Sequence, residues 1–178
     1  EKLVGGGSRE GTGYGTAQGA LFALVYLWEQ STLEPIEELR PTAQASLLFL
    51  IHQTVPTLDR IAPIGDHSRD SSAALFDYHR AYLEVLARLV AGSPEAAVAR
   101  TFLDGCAVPK MGQPFNFASD FLFYPRGARA QPLSTLYPAY YSSGAGQVFL
   151  RSGWEPGATW ANFSCGPYSE NHAHHDQG

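Results

Sequence analysis

Residues 71–92 read SSAALFDYHRAYLEVLARLVAG, and the spacing of their apolar side chains establishes the helical part of the fold. These side chains recur every three or four residues and so form one face of an amphipathic helix: Leu75, Tyr78, Tyr82, Val85, Leu86 and Leu89. We expect Ser71 or Ser72 to cap the helix and Gly92 to stop it after Ala91. Tyr78, His79 and Tyr82 are expected to pack rather than to do chemistry.

Three further segments have helical patterns, over residues 16–32, 41–53 and 94–105. The first is apolar on nearly every side, through Leu21, Phe22, Leu24, Val25, Tyr26 and Trp28, so we expect it to be buried between neighbouring helices. Pro41 and Pro94 open the second and third of these segments, where a missing backbone N–H costs nothing. Helices separated by short breaks predict antiparallel helical hairpins.

After Cys106 the helical periodicity stops, and Pro, Gly and Asn become frequent. Short apolar runs over 121–124, 139–141 and 147–150 are typical of strands between turns. The sequence therefore predicts an α+β, multidomain chain: a helical portion over 1–106, a linker over 107–134 and the first strands of an antiparallel sheet over 135–178. Within the sheet, Trp154 and Trp160 are expected in the core, and Arg151 is expected to bind buried carbonyls.

Composition excludes several classes of protein. With 44% hydrophobic and 16% charged residues the chain buries a core, and its net charge of −5 with no Lys/Arg cluster argues against nucleic-acid binding. No apolar run approaches the roughly 20 residues of a membrane span. Two distant cysteines, free or paired, exclude a disulfide framework.

Two loops are candidates for function. The segment 3–15 contains six glycines and matches neither a Walker loop nor a dinucleotide fingerprint, so it either brings backbone close to a ligand or is a flexible linker. The long connection over 55–70 carries His67 and Arg69. These side chains either contact an anionic substrate or belong to a solvated charged loop.

The last eight residues, NHAHHDQG over 171–178, contain three of the six histidines. In an extended segment His172, His174 and Asp176 point to one side, which suits a metal ion or a base held by its neighbours. A solvated tail and the remnant of an affinity tag are the alternatives.

Two motifs near the ends of the chain together resemble a known family. The stretch 151–154 (RSGW), the strand-like 159–163 (TWANF) and His172-x-His174-x-Asp176-x-Gly178 resemble the start of the β-sheet domain of heparinase II/III-like polysaccharide lyases. Residues 6–14 (GGSREGTGY) resemble that family's Glu-Gly-x-x-Tyr turn, which opens a helix of an α/α toroid. The resemblance implies an incomplete (α/α) toroid followed by the start of an antiparallel β-sandwich.

The resemblance also implies a reaction, β-elimination in a glycosaminoglycan-like or alginate-like polymer, and roles for named residues. Tyr14 matches the catalytic tyrosine, as acid or base, and His172 the residue placed at the scissile bond. His174 matches a ligand of a structural zinc, and Asp176 binds that metal or orients a histidine. Substrate contacts are expected from four side chains: Glu10, His67, Arg69 and Asn171.

We further expect the chain to be a fragment of a secreted or periplasmic bacterial enzyme. The residue that holds the substrate carboxylate and the remaining zinc ligands would lie outside it, so the chain is expected to be inactive alone. Its expected partners are an anionic polysaccharide and the rest of the same enzyme, with no nucleic acid and no membrane. Two other functions remain open: a noncatalytic helical binding module, and a metal-dependent hydrolase using His172, His174 and Asp176.

Overall fold

The computed structural model describes residues 4–67, 72–108 and 114–166. Within these ranges five α-helices precede one three-stranded antiparallel sheet, so the fold is α+β, as predicted. The helices are α1 (Gly19–Thr32), α2 (Arg40–Gln53), α3 (Asp77–Leu89), α4 (Pro94–Gly105) and α5 (Pro114–Phe123). Short 3-10 helices cover Tyr14–Gln18, Glu37–Leu39 and Leu133–Thr135. None of the described helices has both the length and the apolar character that crossing a membrane requires.

Helix α3 is the centre of the helical part and packs against α1, α2, α4 and α5. Four of the residues predicted to face inward are buried in the helix, Tyr82, Val85, Leu86 and Leu89, whereas Tyr78 is half-buried. Val98 and Phe102 of α4 are also buried in this core. The predicted helices over 41–53 and 94–105 are confirmed to within one residue.

The predicted start of α3 is wrong, because the chain before it is held in an extended form. The N–H of Ile61 donates to the carbonyl of Ala73, and the N–H of Leu75 donates to that of Asp59, both at 2.8 Å. These bonds pair residues 73–75 with 59–61, so the helix cannot begin at Ser72. It begins at Asp77 instead, after Phe76.

The prediction that α1 is buried on all sides is also wrong. Only Phe22, Val25 and Glu29 of α1 are buried, and they face the rest of the helical core. Glu29 is held there by an ion pair with Arg40 at 2.6 Å. The opposite side of the helix leaves four large apolar residues 47–64% exposed: Leu21, Leu24, Leu27 and Trp28.

The segment predicted as a linker contains a helix. Helix α5 ends at Phe123, so the strand predicted over 121–124 is wrong. Phe123 and Tyr124 are buried in the helical core, and the ring of Phe123 meets the ring of Tyr26 edge to face, with centroids 5.3 Å apart. A short apolar run fits a strand or a helix equally well, and here contacts with α1 and α3 decide between them.

The sheet consists of β1 (Ala139–Ser142), β2 (Gln147–Arg151) and β3 (Trp160–Ser164), in that order. Both pairs are antiparallel, which confirms the predicted strand segments. The sheet packs on α2, where the rings of Phe49 and Phe149 meet edge to face at 5.3 Å. The toroid and the β-sandwich, as larger arrangements, stay predictions.

Arg151 and two tryptophans join the sheet to the end of α2. Arg151 Nη2 donates to the backbone carbonyls of His52 and Thr54, each at 3.0 Å, so its predicted role is confirmed. Trp160 Nε1 donates to the same His52 carbonyl at 3.1 Å, and Trp154 lies under the Arg151 guanidinium at 3.8 Å. Burial, followed by the charge of Arg151, lowers the pKa of His52 to about 3. Its ring is therefore neutral at ordinary pH.

Candidate functional site

The Gly-rich loop is packed tightly against the protein's own backbone. A Cβ on Gly6 would lie 2.2 Å from the carbonyl oxygen of Ala45, and one on Gly13 would lie 1.8 Å from that of His67. Gly6 also has φ +79°, a left-handed conformation that favours glycine. The loop is therefore not a flexible linker. Its backbone packs closely against the backbone of α2 and of His67.

This packing joins the loop to the segment 62–67. The N–H of Thr12 donates to the carbonyl of Ile64 at 3.0 Å, and the N–H of Asp66 donates to that of Glu10 at 2.8 Å. Two predicted substrate residues, Glu10 and His67, consequently lie beside the predicted catalytic Tyr14. We call Glu10, Tyr14, Asp66 and His67 the Tyr14 site.

Tyr14 opens the 3-10 turn that leads into α1, and its side chain is 43% exposed. The Glu10 carboxylate raises the pKa of Tyr14, first through its charge and then as a hydrogen-bond acceptor, and Asp66 adds to the effect. Both carboxylates favour the neutral phenol, because ionising it would place another negative charge near them. Tyr14 therefore keeps its proton more firmly than an ordinary tyrosine.

Glu10 and His67 differ in how accessible their polar atoms are. The Oε2 atom of the half-buried Glu10 is shielded from solvent and accepts no hydrogen bond within the described ranges. His67 Nδ1 lies 2.9 Å from the carbonyl oxygen of Gly65. Because a carbonyl only accepts, Nδ1 carries the proton, and in the neutral ring Nε2 is left as an acceptor or a base.

His79 of α3 supports this loop from the core. It is 0% exposed, and its Nδ1 accepts the N–H of Phe76 at 2.9 Å, so in the neutral ring the proton sits on Nε2. Burial lowers the pKa of His79 to about 4, and the backbone carbonyl of His67 opposes that shift. The Nε2 atom of His79 forms no hydrogen bond with a described residue. The backbone carbonyl of His67 nevertheless lies close enough to stabilise the proton on Nε2.

The burial of His79 confirms its predicted packing role, whereas Asp66 is not among the predicted site residues. Both are connected to Tyr14 only by tertiary contact, since 51 or more residues separate them from it in the chain. A signal for Asp66 was available in its polar run with His67. No local signal connects His79 to the loop.

Five predicted site residues lie outside the described ranges: Arg69, Asn171, His172, His174 and Asp176. The chain leading to the last four leaves β3 beside the Gly-rich loop. The N–H of Cys165 donates to the carbonyl of Gly146 at 2.8 Å, in the turn between β1 and β2. Arg9 Nε of the loop donates to the carbonyl of Gly144 in that same turn at 2.7 Å.

Over residues 4–67, 72–108 and 114–166, no group of three or more His, Cys, Asp or Glu side chains is placed to hold a metal ion. The predicted zinc ligands, His174 and Asp176, lie outside these ranges, so the metal stays a prediction. Cys106 and Cys165 are both free thiols.

Comparison with known proteins adds no relative. No family model, no curated protein and no solved structure matches the chain. The candidate site therefore rests on its geometry, and the resemblance of the two terminal motifs to a lyase family stays a prediction.

Proposed function

We propose that the chain belongs to a polysaccharide lyase that cleaves a uronic-acid polymer, glycosaminoglycan-like or alginate-like, by β-elimination. The observation that carries the proposal is the exposed Tyr14, whose pKa the Glu10 carboxylate raises, on a loop whose Gly13 meets the backbone carbonyl of His67. An accessible, protonated phenol is suited to donate a proton.

The reaction needs three groups. A base removes the C5 proton of the uronate, the electron pair of that C–H bond forms the C4=C5 double bond, and the C4–O bond breaks. An acid protonates the leaving oxygen, and a positive or hydrogen-bonding group holds the carboxylate that acidifies C5. No oxidant or other reactant is required.

We assign Tyr14 as the acid. The charges of Glu10 and Asp66 raise its pKa, and a group that holds its proton at neutral pH is suited to deliver it to a developing alkoxide. A bound uronate adds a further negative charge and acts in the same direction.

We assign His172 as the base, and chain length supports a shared cleft. It lies six positions after Gly166, the last described residue, and six residue steps span at most about 20 Å. Gly166 itself packs against the turn between β1 and β2, since a Cβ on it would lie 2.5 Å from the carbonyl oxygen of Ala145. Arg9 contacts the same turn. Because Tyr14 follows Arg9 by five residues, both ends of the chain can reach one substrate.

Substrate contacts follow from the charges at the site. Glu10 and Asp66 repel a uronate carboxylate, so in the proposal the predicted Arg69 supplements the carboxylate-holding residue that lies outside the chain. The Nε2 atom of His67, an acceptor in the neutral ring, is proposed to bind a sugar hydroxyl. Glu10 is proposed to contact the substrate beside Tyr14. Asn171 is proposed to contact substrate beside His172. His174 and Asp176 are proposed to hold a structural zinc, which ties strands together and takes no part in the proton transfers.

The test is the ultraviolet absorbance of a 4,5-unsaturated uronate, measured with the complete gene product that contains this chain. We expect absorbance to rise with uronate polymers and not with cellulose, and to be lost in Tyr14→Phe. Tyr137→Phe is the matched control, because Tyr137 is 78% exposed and lies outside the site. New reducing ends without absorbance would identify a hydrolase, and binding without either signal would identify a noncatalytic module.

A further inference from the structure

A cavity of about 460 Å³ lies between the end of α3, the start of α4 and the loop 125–131. It shares no residue with the Tyr14 site. The space exists because small side chains meet there, among them Ala87, Ala91, Ala97 and Ala128. A Cβ on Gly92 or on Gly127, which also line it, would touch nothing within 4 Å.

Among the described residues, the charged ones in the cavity wall are the arginines Arg88 and Arg129, and no described Asp or Glu lines it. Glu95 lies in the first turn of α4 but outside the wall. The local charge is therefore positive in a chain whose net charge is −5. A wall of this charge favours an anionic ligand.

Both arginines lack the carboxylate partner that most described arginines have. Five others form ion pairs at 2.6 to 3.7 Å: Arg40, Arg60, Arg80, Arg100 and Arg126. Arg88 Nε instead donates a hydrogen bond to the neutral hydroxyl of Tyr26 at 3.2 Å. Arg129 forms no ion pair or hydrogen bond with a residue in the described part of the chain. Two exposed arginines without a described carboxylate partner therefore lie at one cavity, and the guanidinium of Arg88 rests over the Tyr26 ring.

We propose that this cavity binds an organic anion of one or two sugar rings in size, with its carboxylate or sulfate held by Arg88 and Arg129. Its volume lies within the range of about 300 to 1,000 Å³ found for small-molecule sites and exceeds what a bare inorganic ion fills. The alanines and Pro94 suit the apolar face of a sugar ring, and guanidinium groups bind carboxylate or sulfate through paired N–H donors. No base or acid lines the wall, so the site binds without cleaving.

The experiment is titration calorimetry of the protein with a glucuronate-containing disaccharide, with cellobiose as the neutral probe and inorganic sulfate as the small anion. We expect the acidic disaccharide alone to bind, and a tenfold increase in salt to weaken it. Arg129→Ala should lower the affinity about fivefold, as expected for a partly exposed charge pair. Arg129 has no described partner to lose, so its removal leaves the fold intact, as circular dichroism would check.

Two further variants sharpen the test. Ala128→Leu fills the cavity and should abolish binding. Arg60→Ala is the matched control, because it removes an arginine with a 69% exposed side chain that lies outside the wall, and it should leave the affinity unchanged. Equal affinity in wild type and Arg129→Ala, equal binding of cellobiose, or equally tight binding of sulfate would each overturn the proposal. Lyase activity is read by absorbance and depends on Tyr14, so a failure of either proposal is visible separately.

Discussion

Glu84 on α3 is 0% exposed, and changing it to Gln tests the energetics of the helical core. Its Oε1 lies 3.1 Å from Arg80 Nε, while Arg80 Nη2 lies 3.6 Å from Asp120 Oδ1 on α5. One buried guanidinium thus faces two carboxylates. Burial raises the pKa of Glu84 to about 7, Arg80 opposes the rise, and Asp120 adds to it.

The sign and size of the effect follow from linkage. The pKa of Glu84 rises from 4.5 to about 7 on folding, so between these values the folded state holds a proton that the unfolded state has released. The free energy of unfolding therefore falls as pH rises through this window. At about 1.36 kcal/mol per pH unit, the whole window is worth about 3 kcal/mol. Most of this, about 2 to 3 kcal/mol, falls between about pH 5 and pH 8.

The assay is urea unfolding of wild type and Glu84→Gln at about pH 5 and pH 8. The variant keeps the shape of the side chain and stays neutral, so wild type should lose about 2 to 3 kcal/mol relative to it on going to the higher pH. His52 titrates in both proteins and cancels in the difference. Glu38→Gln, at an exposed position, is the control. Its free energy of unfolding should differ from that of wild type by the same amount at both pH values. Equal pH dependence in wild type and Glu84→Gln would refute the reasoning.

Three other changes test separate parts of the structure. Arg151→Met removes the side-chain donor to the Thr54 carbonyl and one of the two donors to the His52 carbonyl, the other being Trp160. It should lower the free energy of unfolding by about 1.5 to 3 kcal/mol in urea, and a loss below about 1 kcal/mol would contradict its role in joining α2 to the sheet. Gly13→Ala places a methyl group into a backbone carbonyl and should lower both the melting temperature and the lyase rate, whereas Gly157→Ala, with nothing within 4 Å, should change neither. His174→Ala should lower the zinc content and the melting temperature of the complete gene product; full metal occupancy would rule out that residue as a ligand.

Helices α2 and α4 and the strands were predictable from sequence because their signals are local. Pro41 and Pro94 fix helix starts, and alternating apolar residues fix strands. The role of Arg151 was predictable as well, since a long cation in a strand-like, aromatic context needs buried acceptors.

Other features depend on contacts that no local pattern encodes. The apolar residues of α1 do not reveal how many neighbours the helix has, and Leu24 is 64% exposed. Ser72 is a good cap, but pairing of Ala73 and Leu75 with the segment around Ile61 prevents the helix from starting there. Tertiary contact overrides local preference in both cases.

The candidate site likewise combines features that local sequence predicts with features that depend on tertiary contacts. Glu10 and Tyr14 lie four residues apart, so their proximity was readable from the loop. His67 joins them only because Gly13 allows its carbonyl to approach, and His79 joins through the core. Sequence gives candidate residues for such a site, but long-range packing decides which of them meet.

The most direct test of the central claim is a double-mutant cycle on kcat in the complete gene product, with Tyr14→Phe, His172→Ala and the pair together. If the two residues act as acid and base on one substrate, each single change should remove most of kcat while substrate binding stays nearly intact. The double variant should then be little slower than either single variant, because residues that act as a unit are not additive. Near-normal turnover in Tyr14→Phe, or losses that simply multiply in the double variant, would contradict the claim.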